Sequence, residues 1–273
     1  MVLKSNGKLY KVTQAIGSGV QITVGTNVVA TTDGAEITKI NTLLSHPDQI
    51  ARDGYIGRRI EGGGIIFFDY AIGFKGSVTV APKSNLNTYH VNAAGVVVKD
   101  TTNANDRFYV VQDKDLVSTK DGDALMWSNG TTGTLYTAIG TETGFGKGLS
   151  NTQKCIDAAS TDGLLEWNTN AYKCIWHYLW KGDYQIRSPK WFVPSKDELN
   201  VLLNMQWQVA SNRKSYDGET QLAQLPMSFS PYYWSSSEAS ASTAHRAGFF
   251  SGSMYADVKN VSLSTRVRLV RTF

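Results

Sequence analysis

The chain has 273 residues, 41% hydrophobic and 18% charged, and a net charge of +4. That balance excludes a disordered chain and leaves enough length for one large or two small domains with a real core. Lysine and arginine are spread along the chain rather than gathered into a stripe, which argues against a nucleic-acid partner.

Residues 1–61 read as a small segment of their own. Alternating stretches at Lys8 to Val12 and Val20 to Val29, separated by Gly17, Gly19 and Gly25, predict short strands and turns. A helix follows in the pattern: Asp33 can cap, Glu36 stands three residues on, and Ile37, Ile40, Leu43 and Leu44 share a face. Pro47 can open a further turn of helix through Ile50. So short a segment buries little by itself, so it is expected to pack on a copy of itself, on another protein or on the C-terminal domain.

Gly62, Gly63 and Gly64 mark a boundary. Ile65 to Phe68 and Val78 to Ala81 predict strands, the second ended by Pro82. Residues 83–123 are polar with strand-like runs at Val96 to Val98 and Phe108 to Val111, and read as an inserted hairpin or long loop. Asn151 and Thr152 can cap a helix carrying Ile156 and Ala159, near 151–160, and a second helical stretch runs from Ala171 to Trp180. The clearest helix start is at Ser195, with Glu198 as its reciprocal capping partner and Leu199, Leu202 and Leu203 as the buried face. Strand and loop fill the chain after Ser228.

Two cysteines, Cys155 and Cys174, do not make a disulfide framework, and four scattered histidines show no ligand spacing, so reduced thiols and no metal are expected. No run approaches the roughly 20 apolar residues of a membrane span. The opening MVLKSNGKLYKV lacks a signal-peptide core. Folding in a cytoplasm is the expectation, with no membrane partner and no cofactor.

Six blocks in order carry a resemblance: GGGIIFF at 62–68, VTVAP at 78–82, AIGT at 138–141 before Asn151 and Thr152, WFVPSKDELNVLL at 191–203, YYWSSSE at 232–238 and RVRLVRTF at 266–273. Together they resemble the lectin-like domain at the C-terminus of collagen-like bacterial adhesins and of the variable proteins of diversity-generating retroelements. The resemblance covers residues 62–273, apart from the insertion. It implies an α+β, C-type-lectin-like fold: a twisted antiparallel sheet with two main helices, and the strand near Gly64 to Phe68 beside the one near Arg266 to Val270. Trp191, Phe192, Trp234, Val267 and Val270 are expected in the framework. Glu238 would satisfy donors at a turn, and the C-terminal arginines would pair with carboxylates or carbonyls.

The resemblance places substitutable positions between Glu238 and Arg266. Strand alternation puts Ala247 and Phe249 inward, with His245 on their face, and Arg246, Gly248 and Phe250 outward. Beyond Gly252, Met254, Ala256 and Val258 are expected inward and Ser253, Tyr255 and Asp257 outward. A ligand-binding surface is therefore expected from Ala239, Ser240, Ser242, Arg246, Gly248, Phe250, Ser253, Tyr255 and Asp257. The chain departs from the family at His245, where a large aromatic is common, and at Ala247, where a bulkier aliphatic is common.

No nucleophile elbow, His-Glu zinc motif or phosphate loop occurs, so no catalytic residue is expected. The formylglycine-generating enzymes share the broad fold class but need placed reactive cysteines. The calcium-ligating Glu-Pro-Asn and Trp-Asn-Asp motifs of sugar-binding lectins are missing, since Trp167 and Asn168 precede Thr169. The resulting expectation is a binding protein: a bacteriophage head or tail fibre on the virion surface, assembled in the bacterial cytoplasm. It would be a dimer or trimer, docked to other virion proteins through residues 1–61, with a cell-surface protein or glycan as ligand. The alternative is a bacterial cell-surface adhesin.

Overall fold

The computed structural model describes residues 2–5, 8–12 and 28–30 and, beyond them, 55–102, 104–116, 124–128, 134–161, 174–181, 191–212, 229–260 and 265–273. The chain divides into two compact units, Met1–Gly54 and Tyr55–Phe273. In the first, β1 (Val2–Ser5), β2 (Lys8–Val12) and β3 (Val28–Ala30) form an antiparallel sheet in that order. The helix expected from Asp33 to Ile50 lies outside the described residues. The second unit starts at Tyr55, ahead of the glycines, because this stretch is tied into it. The N–H of Gly57 donates to Ile66 O at 2.8 Å, and the Tyr55 ring lies 5.0 Å from that of Phe108.

The second unit mixes α and β, with antiparallel sheets and few helices. Its elements begin with β4 (Ile65–Asp69), β5 (Phe74–Lys75), β6 (Thr79–Val80), β7 (Tyr89–Val91), β8 (Val97–Lys99) and β9 (Phe108–Val111). Then come helices α1 (Gly148–Thr161), α2 (Ile175–Lys181) and α3 (Lys196–Asn212). The chain closes with β10 (Tyr232–Glu238), β11 (Thr243–Gly248), β12 (Ser253–Val258), β13 (Thr265–Arg266) and β14 (Val270–Thr272).

One sheet has the order β14-β9-β4, antiparallel throughout. The strand near Gly64 to Phe68 was expected beside the C-terminal one; instead β9 lies between them. Phe108, Tyr109, Val110 and Val111 are all buried, and a continuous run of β-prone apolar residues suits a central strand covered on both faces. Residues 83–123 thus hold a surface hairpin, β7-β8, and then a strand of the core.

The other sheet has the order β12-β11-β10-β13, with β13 parallel to β10. RVRLVRTF therefore serves two sheets. Arg266 pairs opposite Tyr233, while Val270 pairs opposite Val111. Val267 and Val270 are buried, as expected of the core, and so is Leu269. The arginines find the predicted kinds of partner. Arg268 Nε donates to Asp115 Oδ1 at 2.6 Å and Arg266 Nη1 to Asp115 Oδ2 at 3.0 Å, while Arg271 Nη2 donates to Glu61 O at 3.1 Å.

Helix α3 starts as its sequence requires. The Ser195 N–H donates to Glu198 Oε2 at 2.7 Å, and the Glu198 N–H donates to Ser195 Oγ at 3.3 Å. Leu199, Val201, Leu202 and Leu203 are buried beneath it against Phe67, Tyr109 and Tyr233. Helix α1 begins at Gly148, one turn earlier than Asn151 predicts. Asn151 is fully buried inside the helix and braces the preceding loop: it accepts from Glu142 N–H at 2.9 Å and donates to Glu142 O. Helix α2 occupies the second half of the expected Ala171 to Trp180 stretch; residues 171–173 lie outside the described ones. Trp127, Trp176 and Trp234 are the largest fully buried side chains.

Candidate functional site

The sheet β12-β11-β10 is covered unevenly, and this creates the candidate surface. In antiparallel pairs, directly opposed residues share a face. Tyr233, Ala247 and Met254 stand in one row and pack toward α3 with Phe249, which stacks on Phe229 at 4.5 Å. The opposite face carries Trp234, Arg246 and Tyr255 in one row and Tyr232, Gly248 and Ser253 in the next. Trp234 and Ala244 are covered by core; Tyr255 and Ser253 are open to solvent.

Arg246 is the centre of the open part. Its Nη2 lies 2.6 Å from Asp257 Oδ2, and its Nη1 donates to Thr265 Oγ1 at 3.1 Å. The guanidinium also covers the Tyr232 ring, with 4.3 Å from Cζ to the centroid. Tyr255 meets Tyr232 edge-on at 6.3 Å and donates its hydroxyl to Ser251 Oγ at 2.9 Å. Arg246 and Asp257 are half-buried and cancel each other's charge, leaving aromatic rings and hydroxyls as the offered chemistry. Phe250, at the turn between β11 and β12, is 72% exposed.

Of the nine residues expected, Arg246, Tyr255 and Asp257 are brought together, with Phe250 and Ser253 at the neighbouring tip. Gly248 lies on the outward face, opposite Tyr232 and Ser253, but is covered there. It is buried, and a Cβ there would stand 2.7 Å from Tyr255 Cε2 and 2.4 Å from Ser251 Oγ, so it is the floor on which the ring lies. Ala239, Ser240 and Ser242 sit at the other end of β11, about 17 Å away at the rise of an extended strand. Ser240 Oγ accepts there from the N–H of Thr243 at 3.1 Å and of Ser242 at 3.3 Å. The hydroxyls of that turn thus serve the turn itself.

Two further expectations change. Met254 is half-buried, but Ala256 and Val258 are exposed, because β12 is the outermost strand and the core ends short of it. Tyr232 and Thr265 join the site although the sequence did not single them out. Tyr232 stands two residues before the buried Trp234, so its face was legible, whereas Thr265 arrives only through the parallel pairing of β13. His245 lies half-buried on the inner face; burial, then the nearby Lys196 charge, depress its pKa.

Among the described residues, no group of three or more His, Cys, Asp or Glu is placed to hold a metal, and no helix is long and apolar enough to cross a membrane. Cys155 and Cys174 are buried and not joined in a disulfide. Burial pushes the Cys155 thiol well above its ordinary value, the opposite of a reactive cysteine. Compared with known proteins, the chain matches no family model, no curated protein and no solved structure.

Proposed function

We propose that residues 62–273 form a C-type-lectin-like domain and that the protein is a non-enzymatic virion fibre component of a bacteriophage. In this reading the β11-β12 hairpin contacts a protein or glycan on the cell surface, and residues 1–61 hold the chain in a dimer or trimer on other virion proteins. The observation that carries it is the pair Phe250 and Tyr255, exposed at 72% and 38% beside an inner face packed at Ala247 and Phe249. Aromatic side chains on a rigid support bind with little loss of conformational freedom. Two buried thiols outside any disulfide, one held protonated, support a binding role over a cysteine-dependent reaction and fit folding in a reducing compartment.

The test is binding of the labelled full chain to intact bacterial host cells. Saturable binding is expected, and Phe250→Ala with Tyr255→Ala should abolish it while shifting stability by only about 0.5 kcal/mol per site. Undiminished binding by the double variant would remove the hairpin from the contact. Light scattering should read a dimer or trimer for the full chain and a monomer after deletion of residues 1–54. A truncated chain that stays oligomeric would move the subunit interface into the second unit.

A further inference from the structure

We propose that Glu238 and Lys259 are positioning residues for the display hairpin. They form a buried clasp that fixes the β11-β12 base. The inference rests on the reading of that hairpin as the contact surface. Glu238 ends β10, and Lys259 directly follows β12, so the pair brackets the whole segment 239–258.

The Lys259 side chain is fully buried and that of Glu238 is 7% exposed. The ammonium uses its three donors on Glu238 Oε1 at 2.6 Å, Leu135 O at 3.1 Å and Thr137 O at 3.3 Å, and it lies 4.5 Å from the Trp127 ring centroid. The carboxylate in turn gathers the loop before α1. Its Oε2 accepts from the N–H of Ile139 at 3.0 Å, Gly140 at 3.1 Å and Thr141 at 3.4 Å, and from Thr141 Oγ1 at 3.3 Å. The backbone closes the same point: Lys259 N–H donates to Ser242 O at 3.0 Å, and Ala239 N–H to Thr243 O at 3.0 Å.

A buried ion pair is poor evidence of stability, because desolvation of both charges offsets their attraction, and apolar replacement of the whole pair is often neutral. Its directional demands are what an apolar contact lacks. Here they are met by two loop carbonyls, three loop N–H groups and an aromatic face, and all of them converge on the two ends of one hairpin. Nothing comparable holds the tip, where Phe250 projects freely.

Hydrogen exchange with mass spectrometry on the full chain tests this without a ligand. The double variant Glu238→Gln with Lys259→Met removes both charges together and leaves neither buried alone. The expected result is a melting temperature close to the parent's, with amides in 243–258 exchanging about tenfold faster and those in β4, β9 and β14 unchanged. Uniformly faster exchange with a lowered melting temperature, or a variant that does not fold, would overturn the proposal by making the pair a general core contact. Unchanged exchange throughout would overturn it too. Failure of Phe250→Ala and Tyr255→Ala to affect cell binding would count against the contact surface, whereas the exchange result speaks only to the clasp.

Discussion

The two sheets of the second unit solve opposite problems. In β14-β9-β4, every residue of β4 and β9 is buried, and the polar side chains of those two strands carry partners. Asp69 receives both Nε and Nη2 of Arg107, at 2.9 and 2.7 Å, and Tyr109 donates to the buried Glu198 carboxylate at 2.9 Å. In β12-β11-β10-β13 burial fades strand by strand. β10 is enclosed through five consecutive residues, β11 is mixed, and β12 is mostly exposed. An enclosed sheet tolerates little change, since any lost volume or partner stays uncompensated. A sheet that runs out of its core can hold its inner strands fixed and vary its outer ones. The second sheet therefore has room for the contact chemistry proposed above.

The sharpest way to break this comparison lies at β10. Trp234 is fully buried, and its Nε1 donates to Leu125 O at 2.8 Å, so β10 should behave like the enclosed sheet. Trp234→Ala is expected to cost about 3 to 5 kcal/mol in thermal or denaturant melts. A melt unchanged by the substitution would place the whole second sheet outside the core. The next effect is smaller and sits beneath both sheets. Ser195→Ala removes the acceptor for the Glu198 N–H and the hydroxyl that donates to Gly144 O at 2.9 Å; about 1 kcal/mol is expected, read in the same melts. A loss as large as that from Trp234→Ala would show that the cap organises more than its own helix.

Local chemistry was legible in the sequence, and partnership across the chain was not. The capping box at Ser195 and Glu198 depends on residues three apart, so PSKDEL discloses it. The apolar runs of β4 and β9 are likewise local. The division of RVRLVRTF between two sheets is not, because alternating arginine and valine looks the same whichever strand lies beside it. The alternation rule also failed in both directions. Residues 233–237 of β10 are buried without a break because both faces are covered, and Ala256 and Val258 are exposed because neither is. At the site, alternation grouped Arg246, Tyr255 and Asp257 correctly. It put Gly248 on the right face too, but its burial is visible only once Tyr255 and Ser251 are known to lie over it.

The smallest expected effect probes the inner face of the hairpin through pH. His245 sits half-buried on that face, and its folded pKa lies below the ordinary 6.5, through burial first and then the Lys196 charge. The Tyr255 carbonyl and Asp197 oppose the shift without reversing it. The unfolded chain therefore takes up the proton at higher pH than the folded one. Stability from keeping the imidazole neutral is full above the unfolded value of about 6.5 and falls as pH drops toward the folded pKa. Melts between about pH 7.5 and 5.5 should show this decline in the parent and a shallower one in His245→Gln. The difference between the two curves isolates the imidazole from the carboxylates. It should be smaller than the Ser195→Ala effect, because solvent reaches part of the ring and screens the charge. Parallel curves would mean that the ring is solvated in the folded state. In that case β11 would not be seated on α3 at this point, and its inner face would be open like that of β12.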